Sequence, residues 1–176
     1  MTPYANRFLV REPAGALFRV YVHGGVLSFV QVAKRDAVRN LLTHLPLVSG
    51  ALVALWDDRA RRALASRLAS DDRRDVRALL ARDPANFRIA AHQVETAVLD
   101  AEDRTFATPH QGVLRIDTRG RTVRVLFEDA REMSAATGLL RDSLGSLLVT
   151  RAVWSPHRRR YVSERALAMS FRTLRA

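Results

Sequence analysis

Five histidines, at positions 23, 44, 92, 110 and 157, are the side chains of this sequence best suited to proton transfer or metal ligation near neutral pH. Their spacing does not organise that chemistry. No two stand at the i, i+4 interval that puts two zinc ligands on one helix face, and none lies in H-E-x-x-H. His92 with Glu95, and His110 with Asp103, are the acid–base pairs that folding would have to assemble. His44 lies in an apolar run, where the expected role is a satisfied core histidine. Ser49, in LVSGAL, lacks the glycine before the serine of a nucleophile elbow. HGG and TRGR read as turns without phosphate-loop spacing, and DDRRD and DAED lack the alternation of a calcium loop. The chain has no cysteine, which excludes disulfides, thiolate metal sites and thiol nucleophiles. These residues predict a protein that is not an enzyme and that uses no metal or cofactor.

Charge is the stronger signal. The net charge is +11, and Lys34 is the single lysine among 29 basic residues. So marked an arginine bias, beside so much alanine, reads as genomic, and arginine by itself is not evidence of bidentate recognition. Its distribution says more. Residues 151–176 carry seven arginines against one acid, Glu164, which is six of the eleven net charges, whereas 86–150 holds eight basic and nine acidic residues. The closing stretch, WSPHRRRYVSERALAMSFRTLRA, reads as a basic helix. Ser155-Pro156 supplies the cap and first-turn proline, and Leu167, Phe171 and Leu174 form one stripe with Tyr161 and Ala168 at its margin. Arg158, Arg159, Arg160, Arg165, Arg172 and Arg175 are the candidate contacts to an anion or partner. Arginines in a first helical turn oppose the helix dipole and would gain from an external anion.

The elements that must carry this tail are legible in part. ALFRVYVHGGVLSFVQVA (16–33) predicts a β-hairpin turning at His23-Gly24-Gly25. NLLTHLPLVSGALVALW (40–56) has no charge over seventeen residues, short of the roughly 20 a membrane span needs, and it reads as a buried helix or helix pair. Residues 57–70 continue as an amphipathic helix with Ala60, Ala63, Leu64 and Leu68 inward. Ser70-Asp71-Asp72 then reads as the start of a helix bearing Val76, Leu79 and Leu80, and the interleaved arginines and aspartates as a solvated face. Strands are expected at Phe87–Ala90, Val94–Leu99, Val113–Asp117 and Thr122–Phe127, the last two forming a hairpin. A helix over 128–145 should bury Met133, Ala136, Leu139, Leu140 and Leu144, and 146–153 adds one more strand. The first fifteen residues lack the apolar core and cleavage site of a signal peptide.

Strands followed by a close hairpin ending GRTVRVLF, then a helix whose apolar face ends LLRDSLG, resemble the second half of bacterial pleckstrin-homology-like domains. In those domains a bent antiparallel sheet is closed by a carboxy-terminal helix. The resemblance covers about 86–150, with 16–33 as earlier strands and 36–82 as a helical insertion. It implies a binding scaffold rather than an enzyme, and fold alone does not set function. Lipid-binding members carry a basic cluster beside the first hairpin. The turn YVHGGVL offers only Arg19 and His23, so phosphoinositide recognition is not implied.

The expectation is therefore an α+β domain over 1–153, an antiparallel bent sheet or partial barrel with a helical insertion, followed by a basic helix or arm over 154–176. Its expected role is that of a non-enzymatic interaction module, cytoplasmic or peripheral at a membrane, that binds a protein partner or an anionic membrane surface. The alternative is a nucleic-acid-associated protein whose tail arginines neutralise phosphates. No small-molecule substrate is indicated.

Overall fold

A computed structural model of the protein describes residues 6–34, 50–101 and 110–164, with the side chains of the long helix described only from Arg62 onward and at Arg59. Strands β1 (Arg7–Arg11), β2 (Leu17–His23), β3 (Val26–Ala33) and β4 (Phe87–Ala90) form one antiparallel meander, and β5 (Val94–Asp100), β6 (Gly112–Thr118) and β7 (Thr122–Phe127) form a second. Between β3 and β4 lie helices α1 (Gly50–Asp71) and α2 (Val76–Leu80). Helix α3 (Ala130–Leu144) follows β7, and a short strand β8 (Leu148–Thr150) returns to pair with β5 in parallel. The strand order is β4-β3-β2-β1-β7-β6-β5-β8, a single bent sheet that stays open between its outer strands. The fold is thus α+β, as expected. Helices α1 and α2 lie within the stretch 36–82 read as a helical insertion, of which residues 36–49 lie outside the described residues.

Alternation builds this sheet. In β6 and β7, Leu114, Ile116, Val125 and Phe127 are buried in the core while Arg115 and Arg124 are exposed. Helix α3 covers the inner face with Met133, Ala136, Leu140 and Leu144, the stripe read from its spacing, and Leu139 packs beside them. Asp129 caps it, accepting from the Arg131 N–H at 2.6 Å. Glu132 reaches from its first turn to accept the Leu9 N–H at 2.8 Å, tying the helix to β1. The two meanders meet where Arg11 of β1 pairs with Leu126 of β7, braced by the Arg11–Glu128 ion pair. Register shifts at Leu17/Phe18 and Val94/Thr96 supply local bends.

Three expectations change. The hairpin expected at 16–33 is present as β2–β3, turning at Gly24-Gly25, but another hairpin, β1–β2, precedes it. RFLVR is a strand whose Phe8 and Val10 are buried, and its turn, Glu12-Pro13-Ala14-Gly15, is acidic rather than basic. The segment Ser70-Asp71-Asp72 ends a helix instead of starting one, and α2 is capped by Asp75, which accepts from the Arg77 N–H at 3.0 Å. The arginines of this region, with Asp75, do face solvent, but two of its aspartates do not. Asp71 is 1% exposed and Asp72 9%. The inward stripe of 57–70 is only partly covered, with Leu64 and Leu68 half-buried and Ala63 exposed. Most of the uncharged run 40–56 lies outside the described residues. Among the described residues, no helix is long and apolar enough to cross a membrane.

The insertion is held by charge as much as by apolar contact. Tyr21 and Val30, on the outer face of β2–β3, bury Leu79 of α2 with Val76 and Leu80 beside them. The Tyr21 hydroxyl donates to Asp72 at 3.2 Å, and burial, followed by the Asp72 carboxylate, pushes its ionisation well above the ordinary tyrosine value. A raised folded-state pKa means that this stabilisation is complete below the unfolded pKa of about 10 and is lost as pH rises beyond it. Alkaline titration of stability should therefore fall above about pH 10, and Tyr21→Phe should flatten that fall in urea midpoints measured across the range. An unchanged slope would remove Tyr21 as its cause.

Candidate functional site

Directly after β8 the chain forms strands and not a helix. Residues Ala152–Ser155 (β9) and Arg160–Ser163 (β10) form an antiparallel hairpin, with Trp154 opposite Tyr161 and Val153 opposite Val162. Val, Trp and Tyr are strong strand formers, and here they pair across the turn. Pro156-His157-Arg158-Arg159 is that turn, closed by the Arg159 N–H donating to the Pro156 carbonyl at 3.3 Å. The final helix expected from Ser155-Pro156 is thus replaced over 152–163 by strands, and the argument from a helix dipole lapses with it. Arg165, Arg172 and Arg175, with Leu167, Phe171 and Leu174, lie outside the described residues.

The hairpin is anchored at its base. Arg151 donates its N–H to the Leu99 carbonyl at 2.8 Å, and its own carbonyl accepts from the Glu164 N–H at 2.8 Å. Ala152 is buried in the main core and Tyr161 packs against it. Beyond that base the polarity inverts. Val149, Val153 and Trp154, 42%, 42% and 44% exposed, are the exposed large hydrophobics of the described residues, and all three lie within six positions of each other. Trp154 meets Tyr161 edge to face at 5.3 Å, which holds the indole while leaving much of it in solvent.

Around these side chains stand Arg151, Arg158, Arg159 and Arg160, all exposed, with no ion pair to a described residue. The structure therefore gathers three of the six expected contact arginines on one hairpin, Arg158 and Arg159 in its turn and Arg160 at the start of β10. It adds Trp154, Val149 and Arg151, which sequence reasoning did not single out. Their signal was the strand formers Val153, Trp154, Tyr161 and Val162 on either side of Pro156–Arg159, hidden by reading Ser-Pro as a helix start. Arg159 has φ +48°, the single non-glycine residue in the left-handed region among those described. A glycine would sit there without strain.

The histidines do not converge. His92 and Glu95 are both exposed beside the turn joining β4 to β5, His23 ends β2, and His157 is exposed in the hairpin turn. His110 is half-buried at the start of β6, and Asp103 and His44 lie outside the described residues. Among the described residues no three metal-ligating side chains cluster. An open depression of about 370 Å3, lined by Glu12, Pro13, Ala14, Thr122 and Arg124, contains none of the histidines. Arg19, the basic residue nearest the expected first turn, is engaged by Asp72 at 3.5 Å. Compared with family models, with curated proteins and with solved structures, the chain matches none.

Proposed function

We propose that this chain is a non-enzymatic binding module of pleckstrin-homology-like design that docks on an anionic membrane surface through its β9–β10 hairpin. Two features support the design. Two meanders, β1 to β4 and β5 to β7, share one bent sheet, and a helix follows the last meander strand onto the inner face. The observation that carries the role is the coincidence of exposed aliphatic and indole groups with unpaired arginines. Polyanions in general attract the arginines, and a lipid interface also rewards the exposed aliphatic groups of Val149 and Val153 together with Trp154.

The size of the effect follows from the charge. Each arginine near an anionic leaflet contributes about 1 kcal/mol, so removing Arg158, Arg159 and Arg160 together should weaken binding by roughly a hundredfold. Nuclease-treated full-length protein should float with phosphatidylcholine vesicles containing phosphatidylserine at low salt, and the triple alanine variant should not. Trp154→Ala should remove what binding survives high salt. Equal flotation of wild type and triple variant would sink the proposal.

Arg159→Gly separates function from folding. It relieves the positive φ and is expected to raise stability by about 0.5–1 kcal/mol while lowering vesicle affinity. Thermal unfolding and flotation read the two effects independently. A second reading, nucleic-acid binding, has one observation in its favour, the Trp154–Tyr161 pair beside the arginines, which offers a base a stacking surface. It predicts binding that salt abolishes completely and that vesicles do not reproduce.

A further inference from the structure

The outer face of β6–β7 carries an arrangement that sheet stability disfavours. Arg115 and Arg124 are direct cross-strand partners, and both are exposed. Side chains so paired leave Cβ atoms about 5 Å apart, and like charges there repel. The neighbouring pair is Asp117 with Thr122. Asp117 accepts from the Thr122 hydroxyl at 2.7 Å and from Arg115 Nε at 3.0 Å. Those bonds, the Thr122 one foremost, hold its carboxyl below the usual carboxylate range. One carboxylate thus faces two guanidinium groups, and it bonds only Arg115. Arg124 has no hydrogen bond or ion pair to a described residue, and it lines the open depression with Thr122 and the β1–β2 turn. The register continues the row. Arg115 is paired with Val98 of β5, and Val98 with Val149 of β8. Val149, Val98, Arg115 and Arg124 therefore line one face over about 14 Å, three strand spacings.

We infer that Arg115 and Arg124 form an anion site for a phosphate group, entered from the depression beside Thr122 and facing the same side as Val149. A tetrahedral oxyanion placed between the two guanidinium groups converts their repulsion into paired charge-assisted hydrogen bonds. Glu12 also lines the depression, and its carboxylate repels an anion from its own surroundings. The inference rests on the membrane reading only for the source of the phosphate, not for the site.

Inorganic phosphate is the first probe. In the full chain, the Nε–Hε resonances of Arg115 and Arg124 should shift saturably with phosphate and not with chloride at matched ionic strength. Arg124→Gln should weaken that affinity about tenfold, the equivalent of one charge-assisted hydrogen bond, and Glu12→Gln should strengthen it. The Arg158, Arg159, Arg160 triple variant should keep the phosphate shifts, so failure of the hairpin and failure of this site are read separately. Vesicles containing phosphatidic acid distinguish the sources. Affinity that falls in Arg115→Gln/Arg124→Gln assigns the phosphate to a lipid headgroup, and vesicle affinity that does not change, with the phosphate shifts intact, assigns a soluble phosphate ester. No shift, or a shift equal to that with chloride, overturns the site.

Discussion

Replacing Asp72 by alanine should cost about 3 kcal/mol, the low end of the range for breaking a buried ion pair. Asp72 accepts from Tyr21 at 3.2 Å and pairs with Arg7 at 3.0 Å and Arg19 at 3.5 Å, at side-chain exposures of 11% for the acid and 27% and 12% for the arginines. Removing the carboxylate leaves Arg19 almost fully buried with no counter-charge of its own. Its Nε already lacks a hydrogen-bond partner. Arg7 keeps contact with solvent, which holds the cost at the lower end. The loss is a large share of the roughly 5–15 kcal/mol that stabilises a domain of this kind. Asp72→Asn keeps an acceptor for the Tyr21 hydroxyl and should cost less. Urea denaturation checks both variants, and a midpoint unchanged by Asp72→Ala would mean the network adds nothing. Asp71 is the second half of the same lock, paired with Arg82 at 2.8 Å and Arg67 at 3.7 Å. Two acids at the carboxy-terminal end of α1 oppose its dipole, and only these arginines make the placement tolerable.

That lock explains why one part of the fold was illegible. Ser-Asp-Asp is a sound local signal for a helix start, and its sequence neighbours contain nothing to contradict it. What buries Asp71 and Asp72 arrives from elsewhere, Arg7 on β1, Arg19 and Tyr21 on β2, and Arg82 beyond α2. No periodicity records a convergence of that kind. Strand β1 was missed for a different reason. RFLVR has arginine at both ends, so its alternation spans only Phe8 and Val10, too few for a pattern. Where alternation was long enough, it sufficed. Thr122–Phe127 was read to the residue, and the α3 stripe named the side chains that are buried. The candidate site lies between these cases. The arginine cluster was visible as composition, but its geometry depended on whether Ser155-Pro156 begins a helix or a turn. Local cues favoured the helix, and the pairing of Trp154 with Tyr161 decided for the hairpin.

A functional consequence follows from comparing the two kinds of arginine. Arg7, Arg11 and Arg19 of β1 and β2, with Arg67 and Arg82 of the insertion, are spent on carboxylates, whereas Arg59, Arg73, Arg74 and Arg77 of the insertion are exposed without an ion pair to a described residue. Those of the hairpin and Arg124 are not spent. Net charge therefore does not by itself mark a surface, and what sets the hairpin arginines apart is the exposed Val153 and Trp154 of the same hairpin.

Phe29→Ala is the second large effect, expected at about 3–5 kcal/mol for a fully buried phenylalanine. Phe29 is 0% exposed and stacks on Phe87 at 4.5 Å and 12°, while Phe18 meets both rings edge-on at 6.5 and 5.9 Å. These rings join β2, β3 and β4. On the far side of Phe87 sits the Arg121 guanidinium, 4.1 Å from the ring centre, so the β6–β7 turn is fastened to β4 across the open side of the sheet. Truncating Phe29 removes the support beneath Phe87 and should loosen that closure as well as leave a cavity. The two losses are separable by a double-mutant cycle with Arg121→Met. Alone, Arg121→Met should cost about 0.5–1 kcal/mol, the value of an exposed cation–π contact. In the Phe29→Ala background that cost should shrink, because Phe87 no longer holds its place. Strict additivity would show that the ring cluster and the closure across the open side are independent, and that the bend is maintained by the strand register alone.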